Sequence, residues 1–349
     1  MGRNGARMVN SRGQESGTTL REEAVMEPIH PEHPAADRVL VHLSDTHLRG
    51  GGALLAGTLD SIERLRSLVA RLEASGERPD ALVVTGDLAD KGEPDAYATL
   101  RSIIEPAAER LHTRVIWAAG NHDDRSTLRT ELLGEPAGTE PLDHTNWIGG
   151  LRLITLDTTV PGSHHGRLDP GQLEWLRGEL ATPAPDGTIL VMHHPPIASV
   201  QPLAILVELR GQAALAEVVR DTDVRAILAG HLHYSTFGMF AGIPVSVASA
   251  TCYTQDLAAS VDTETGIHAT RGRDAAQAYN LVHILPETVV HSVVPAAGGQ
   301  SVGEVVEPGE VAGILRSHGI DPAAVTRSWG RAPGSPTGRR SGSSPAGTR

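Results

Sequence analysis

At 349 residues the chain can bury one large core or two small ones, and either suffices for an independent fold. Its 40% hydrophobic and 21% charged content is ordinary for a globular enzyme, while aromatics at 3% leave aliphatic packing to dominate the core. A net charge of −12 argues against nucleic acid or an anionic membrane as the main partner, though a small anionic substrate stays open because bound cations reverse the potential locally.

Residues 1–37 lack periodicity and carry no apolar signal core, so they read as a flexible extension without a secretion signal, with Met8 and Met26 as further candidate starts. The first apolar run is RVLVHLSD (38–45). Five more follow: DALVVTGD (80–87), TRVIWAAGN (113–121), LRLITLD (151–157), TILVMHH (188–194) and VRAILAGH (224–231). Continuous apolarity over such lengths predicts strands covered on both faces. Between them, Leu59, Ile62, Leu65, Val69 and Leu72 share one helical stripe that stops at Gly76. Asp169-Pro170-Gly171-Gln172 reads as a capped helix start with a proline at its first turn. After residue 236, GMFAGIPVSVASA and YNLVHILPETVVHSVVPA predict antiparallel strands of a second sheet. A short helix near 309–318 should follow, then a disordered Gly/Ser/Pro/Arg tail from about 328. The domain division is therefore an extension over 1–37, an α/β domain over 38–310, and helix plus tail over 311–349. The lone Cys252 permits no intrachain disulfide and no thiolate metal cluster, which fits a reducing, cytoplasmic compartment.

The chemistry lies where the runs end. Five of the six finish on a metal-capable side chain: Asp45, Asp87, Asn121, His193 and His231. His47 and His233 follow two residues behind Asp45 and His231, so in extended chain each pair points the same way. In open α/β sheets the site lies beyond the carboxyl ends of the strands, where such groups converge. Glycines precede Asp87, Asn121 and His231, letting backbone and side chains approach closely. Two aspartates, one asparagine and four histidines form a thiolate-free N/O set suited to iron, manganese, zinc or cobalt. Seven donors exceed one ion but fit two, with Asp87 bridging, as in two-metal sites for displacement at phosphorus. A lone strand-end acid is usually a cap or a solvated turn residue, and Asp157 is read that way.

Asp45-x-His47, Gly86-Asp87, Gly120-Asn121-His122-Asp123, His193 and Gly230-His231-x-His233 occur in the order of the five blocks of the calcineurin-like metallophosphoesterase superfamily, which this chain resembles. The stretches LSDTHL, TGDLADKGEPDAY, HHPPI and VRAILAGHLHYST are similar to its class III 3′,5′-cyclic nucleotide phosphodiesterases over about 38–310. The resemblance implies an α/β/β/α sandwich of two mixed sheets flanked by helices. It implies one metal on Asp45, His47, Asp87 and His233, and another on Asp87, Asn121, His193 and His231. Iron paired with manganese or zinc is the implied content, with His194 a neighbour of the ligands. It further implies a homodimer and in-line attack on phosphorus by a hydroxide held between the ions.

Asn121, His122, His164 and His233 are the residues expected to meet the substrate. His122 would donate to a phosphate oxygen or to the leaving O3′, with Asp123 orienting it. His164 and His165, in PGSHHGRLDP, either reach the phosphate or form a solvated pair. Tyr234 and Phe237 either line a nucleoside pocket or pack in the core. So few aromatics predict loose base selectivity, cAMP and cGMP both being accepted. The rival readings are a broader phosphodiesterase acting on 2′,3′-cyclic nucleotides or glycerophosphodiesters, and a non-catalytic scaffold. No basic groove suggests a nuclease. The tail arginines (Arg327, Arg331, Arg339, Arg340, Arg349) read as solvated rather than as a membrane attachment.

Overall fold

The structure, a computed structural model, describes residues 29–326, so the expectations for residues 1–28 and for the tail from 327 lie outside the described residues. All six apolar runs form strands: Arg38–Leu43, Ala81–Thr85, Arg114–Ala118, Leu151–Leu156, Thr188–Met192 and Val224–Ala229. Each stops one to three residues before the polar side chain that ends its run.

The strands divide between two mixed sheets. The five-stranded sheet runs Val289–Pro295, Ala278–Ile284, Arg38–Leu43, Ala81–Thr85, Arg114–Ala118. The six-stranded sheet runs Thr236–Phe240, Ile243–Val247, Val224–Ala229, Thr188–Met192, Leu151–Leu156, His144–Ile148. Each has a run of parallel strands, with antiparallel pairing toward both edges of the six-stranded sheet and toward one edge of the five-stranded sheet. The two C-terminal hairpins therefore do not share a second sheet, as the sequence suggested. Thr236–Val247 extends one sheet, and Ala278–Pro295 returns to pair with Arg38–Leu43 in the other. Each parallel centre leaves a ladder of unpaired backbone groups at one edge, and one hairpin covers each.

Alternation along the strands builds the layers. Val41, Leu43, Leu82 and Val84 face the helices Ser61–Ala74 and Pro94–Leu111, meeting Leu65, Leu68, Leu72, Leu100 and Ile104. Leu40, Val83 and Ile116 face the other way, onto Leu153, Ile189, Val191 and Leu228 of the second sheet. On the far side Ile154, Leu190, Ile227 and Val245 meet Leu176, Leu180, Leu215 and Val218 of the helices Pro170–Leu180 and Gln212–Val219. The result is helix, sheet, sheet, helix, with aliphatic burial worth about 1.5–3 kcal/mol per large side chain. The caps follow the sequence: Asp60 accepts from the Glu63 amide, and Asp169 and Gln172 cap each other reciprocally. The C-terminal helix spans Pro308–Ser317. Two elements had no clear sequence signal. The helix Pro94–Leu111 carries Pro106 inside it, and the strand His144–Ile148 is only half-buried.

Asp157 departs from its expected role as a cap or solvated turn residue. Its carboxylate is fully buried, accepts from the amides of Leu142 and Thr159 at 3.0 and 2.9 Å, and lies 2.8 Å from Arg125 Nε. Removing one member of a buried pair leaves an uncompensated charge, at a cost of about 3–5 kcal/mol. Asp157→Ala should lower stability by that amount in urea unfolding. A loss below about 1 kcal/mol would place the pair among weak surface contacts.

Candidate metal centre

The strand-end residues converge, but not along extended chain. Asp45, His47, Asp87, His231 and His233 all have positive φ, at 53°, 42°, 50°, 73° and 59°. Such backbone costs non-glycine residues about 1–3 kcal/mol each and persists only where surroundings enforce it. Here backbone bonds across the sheet ends supply the enforcement: Asp45 N to Gly86 O, His47 N to Asp87 O, and Gly230 N to His193 O, at 3.1, 2.9 and 3.0 Å. The alternating left-handed residues turn the side chains inward in place of the straight pairing that the two-residue spacing suggested. Gly86 sits at φ 94°, and a Cβ on it would lie 2.7 Å from Gly120 N. A Cβ on Gly120 would overlap the Asp87 amide.

The donors form two nests that meet at one carboxylate. In the first, His47 Nε2 lies 3.1 Å from His233 Nε2 and 3.3 Å from Asp87 Oδ2, and His233 Nε2 lies 3.4 Å from Asp45 Oδ1. In the second, His193 Nε2 lies 3.4 Å from the same Asp87 Oδ2, 3.1 Å from Asn121 Oδ1 and 3.3 Å from His231 Nδ1. Asp45, His47, Asp87 and Asn121 come from the five-stranded sheet, and His193, His231 and His233 from the six-stranded one.

The outward ring nitrogens reveal what the inward ones can do. His193 Nδ1–H donates to Thr85 O at 2.7 Å, His233 Nδ1–H to Tyr253 O at 3.0 Å, and His231 Nε2–H to Val207 O at 3.0 Å. His47 Nδ1–H donates to Asp90 Oδ1 at 3.2 Å. A neutral imidazole has one N–H, so each inward nitrogen holds a lone pair. Two lone pairs 3.1 or 3.3 Å apart repel unless a cation lies between them. The donor set therefore fits metal ions. Protons meet the same need in part. Burial opposes charge on His47 and His193, yet the Asp87 carboxylate, helped by Asp90 and Asp45, raises them to about 10 and about 9. Burial, with the positive charge of His193 beside His231 and of His47 beside His233, pushes these two down to about 3 and about 4. Burial resists ionisation of Asp87, but His193 and His47 hold it well below the usual carboxylate range.

His122 stands at the rim, its ring 4.7 Å from His47 and 5.3 Å from His164. Its amide donates to Asp87 Oδ1 at 2.9 Å, and its Nδ1–H donates to the Asp90 carbonyl at 2.9 Å. Asp123 does not orient it. That carboxylate accepts from the amides of Leu88, Ala89 and Gly120 and from Tyr97 Oη, which ties the loop bearing Asp87 to the loop bearing Asn121. Burial and the nearby Asp87 push Asp123 up to about 6. Asp90, three residues past Asp87, holds the His122 ring, and no spacing rule marks it in the sequence.

The neighbouring histidines separate. His164 Nδ1 lies 3.0 Å from Asn121 Nδ2, whereas His165 turns to Ser163, away from the metal centre. Both nitrogens of His194 are engaged, by Thr158 Oγ1 at 2.7 Å and by the His164 carbonyl at 3.1 Å. Neither of these two aromatics lines the cleft over the donors. Tyr234 is buried against the second-sheet core with its hydroxyl on Ser199, and Phe237 is exposed on an edge strand. Tyr253 lines the cleft, its ring 4.5 Å from His233. A cleft of about 990 Å³ opens over the nests, lined also by Arg49, Lys91, Gln255 and Arg273. That volume accommodates a ligand of nucleotide size. No helix among the described residues is long and apolar enough to cross a membrane.

Comparison with known proteins follows the same lines. Residues 39–235 match the family described as calcineurin-like phosphoesterase. A cAMP/cGMP dual specificity phosphodiesterase of Mycobacterium tuberculosis is 58% identical over 289 residues, covering 83% of this chain and 89% of that one. A probable cyclic nucleotide phosphodiesterase of Rhodococcus erythropolis is 57% identical over 289 residues, covering 83% of this chain and 94% of that one. Among solved structures, a dimetal phosphatase from Danio rerio shares the fold at a TM-score of 0.53 and 14% identity, covering 75% of this chain and 97% of that one. The chain belongs to the calcineurin-like phosphoesterase family.

Proposed function

We propose that the protein is a metal-dependent 3′,5′-cyclic nucleotide phosphodiesterase that converts cAMP, and also cGMP, to the 5′-nucleotide. The observation that carries this reading is the pair of donor nests sharing Asp87 Oδ2, with His122 at their rim. The activities named for the two bacterial relatives support it. Asp45, His47, Asp87 and His233 would hold one ion, and Asp87, Asn121, His193 and His231 the other. Iron with manganese or zinc suits this oxygen- and imidazole-rich set. Bound there, the ions would supply an activated water near neutral pH and offset charge on the phosphate oxygens. A cytoplasmic homodimer completes the reading.

The chain's own groups do the rest. Asn121 turns its carbonyl oxygen to His193 and its amide nitrogen to His164, so one side chain ties the second nest to the cleft wall. Since His122 Nδ1–H is spent on the Asp90 carbonyl, its Nε2 faces the cleft and carries a proton only on the imidazolium. That proton can go to a phosphate oxygen or to the departing O3′. A preorganised donor at a developing oxyanion is worth ~10²–10³ in kcat. His122→Ala should cut cAMP turnover by that factor with metal content unchanged. The loss should shrink for bis(p-nitrophenyl) phosphate, whose leaving group needs little protonation. Unchanged kcat on both substrates would remove His122 from the mechanism.

The raised histidines give a second set of expectations. Manganese added to metal-free protein at neutral pH should displace the protons of His47 and His193, a release of two or more per chain in a pH-stat titration. Without metal, these groups bind protons more tightly folded than unfolded. Their stabilisation is therefore full below pH 6.5 and lost as the pH climbs through about 9 to about 10. Thermal melts of the metal-free protein should follow that sign, and a melting temperature rising over this range would contradict it. Asp87→Ala should empty both sites, so elemental analysis still finding two ions per chain would refute its shared role.

A further inference from the structure

The cleft has two unlike walls. Asn121, His122 and His164 make the polar one, running from Asn121 in the second nest to His122 beside His47. Elsewhere on the cleft lies a small apolar cluster set apart from the three main cores, built on Leu55, Ala250 and Cys252 with Leu59 and Tyr253 packed against it. Three members of this cluster, Leu55, Leu59 and Tyr253, also line the cleft.

Several features fix this wall in place. Leu55 and Leu59 exchange backbone hydrogen bonds at 2.8 and 3.0 Å, which closes the loop before the Asp60 cap. Gly272 comes so close to the Tyr253 ring that a Cβ there would lie 2.9 Å from Cδ2. The ring also rests 4.5 Å from His233 and 6.5 Å from His47, so the apolar wall begins where the first nest ends. An apolar surface held rigidly beside an ion-binding nest suits a ligand with an anionic end and a flat apolar end.

We propose that Leu55, Leu59 and Tyr253 form the seat of the nucleobase, so that this wall distinguishes nucleoside phosphodiesters from smaller phosphodiesters. The proposal rests on the phosphodiesterase reading for the position of the phosphate. Tyr253 is the one aromatic ring other than histidine on the cleft among the described residues, so the base meets a wall and not a clamp. Contact of this kind follows ring shape more than the hydrogen-bonding edge, and adenine and guanine fit it alike.

The test uses metal-loaded protein, with 5′-AMP and ribose 5-phosphate as competitive inhibitors of bis(p-nitrophenyl) phosphate hydrolysis. The two share phosphate and ribose and differ in the base. Tyr253→Leu should raise the inhibition constant of 5′-AMP about tenfold and leave that of ribose 5-phosphate within about twofold. The KM for cAMP should rise in parallel, with kcat changing far less and metal content held. Tyr253→Phe, which restores the ring, should recover most of the affinity. Leu59→Ala should weaken 5′-AMP selectively too, and it serves if Tyr253→Leu does not fold. Equal weakening of both inhibitors, or no change in either, would overturn the seat. A base-dependent difference that Tyr253→Leu abolishes, in a protein that turns over no cyclic nucleotide, would keep the seat and sink the cyclic-nucleotide reading.

Discussion

The Asp87 carboxylate is the charge around which the rest is arranged. One buried oxygen lies 3.3 Å from His47 and 3.4 Å from His193, and the other accepts the His122 amide. A lone buried carboxylate would neutralise itself by taking up a proton. This one stays ionised because positive charge, on imidazolium or metal, is always within reach. The left-handed turns at the strand ends, the glycines at 86 and 120, and the outward N–H bonds to carbonyls all bring that charge to it. Each feature taken singly is costly, and together they are consistent only with a cation-filled centre.

Much of this was legible in the sequence because strand periodicity and strand-end chemistry are local signals. The six apolar runs, the capping box at Asp169 and the seven donors can each be read from a few adjacent residues. What stayed hidden depends on the closed fold. Asp90 has no distinguishing neighbour in sequence, and it matters only because the backbone brings it under His47 and His122. Asp123 follows His122 directly, yet its side chain runs the opposite way, into a cage of amides. Adjacency in a turn carries no information about direction. Tyr253 was missed and Tyr234 considered for a similar reason: distance in sequence from a ligand does not reveal which face of the following segment looks into the cleft.

The two walls divide the work of recognition. In the proposed reading the polar wall and the nests handle a phosphate and the charge that develops on it, and they would suit any phosphodiester. Discrimination among diesters must come from elsewhere, and the apolar cluster beside the first nest is built from loops rather than from the sheets. Loops can diverge while the strand ends stay fixed, which separates the chemistry from the choice of substrate in the architecture itself.

The origin of the donors in two different sheets has a mechanical meaning. Away from the centre, the sheets are joined by an aliphatic layer whose grip is diffuse and non-directional. At the strand ends they are joined by coordinating side chains, and His233 from one sheet meets Asp45 and His47 from the other. Ions held there would act as a clasp between the two halves of the sandwich. Loss of metal would therefore do more than silence the site: it would loosen that seam, making it the place where the chain first opens to proteolysis and making survival of the fold follow the metal supply around it.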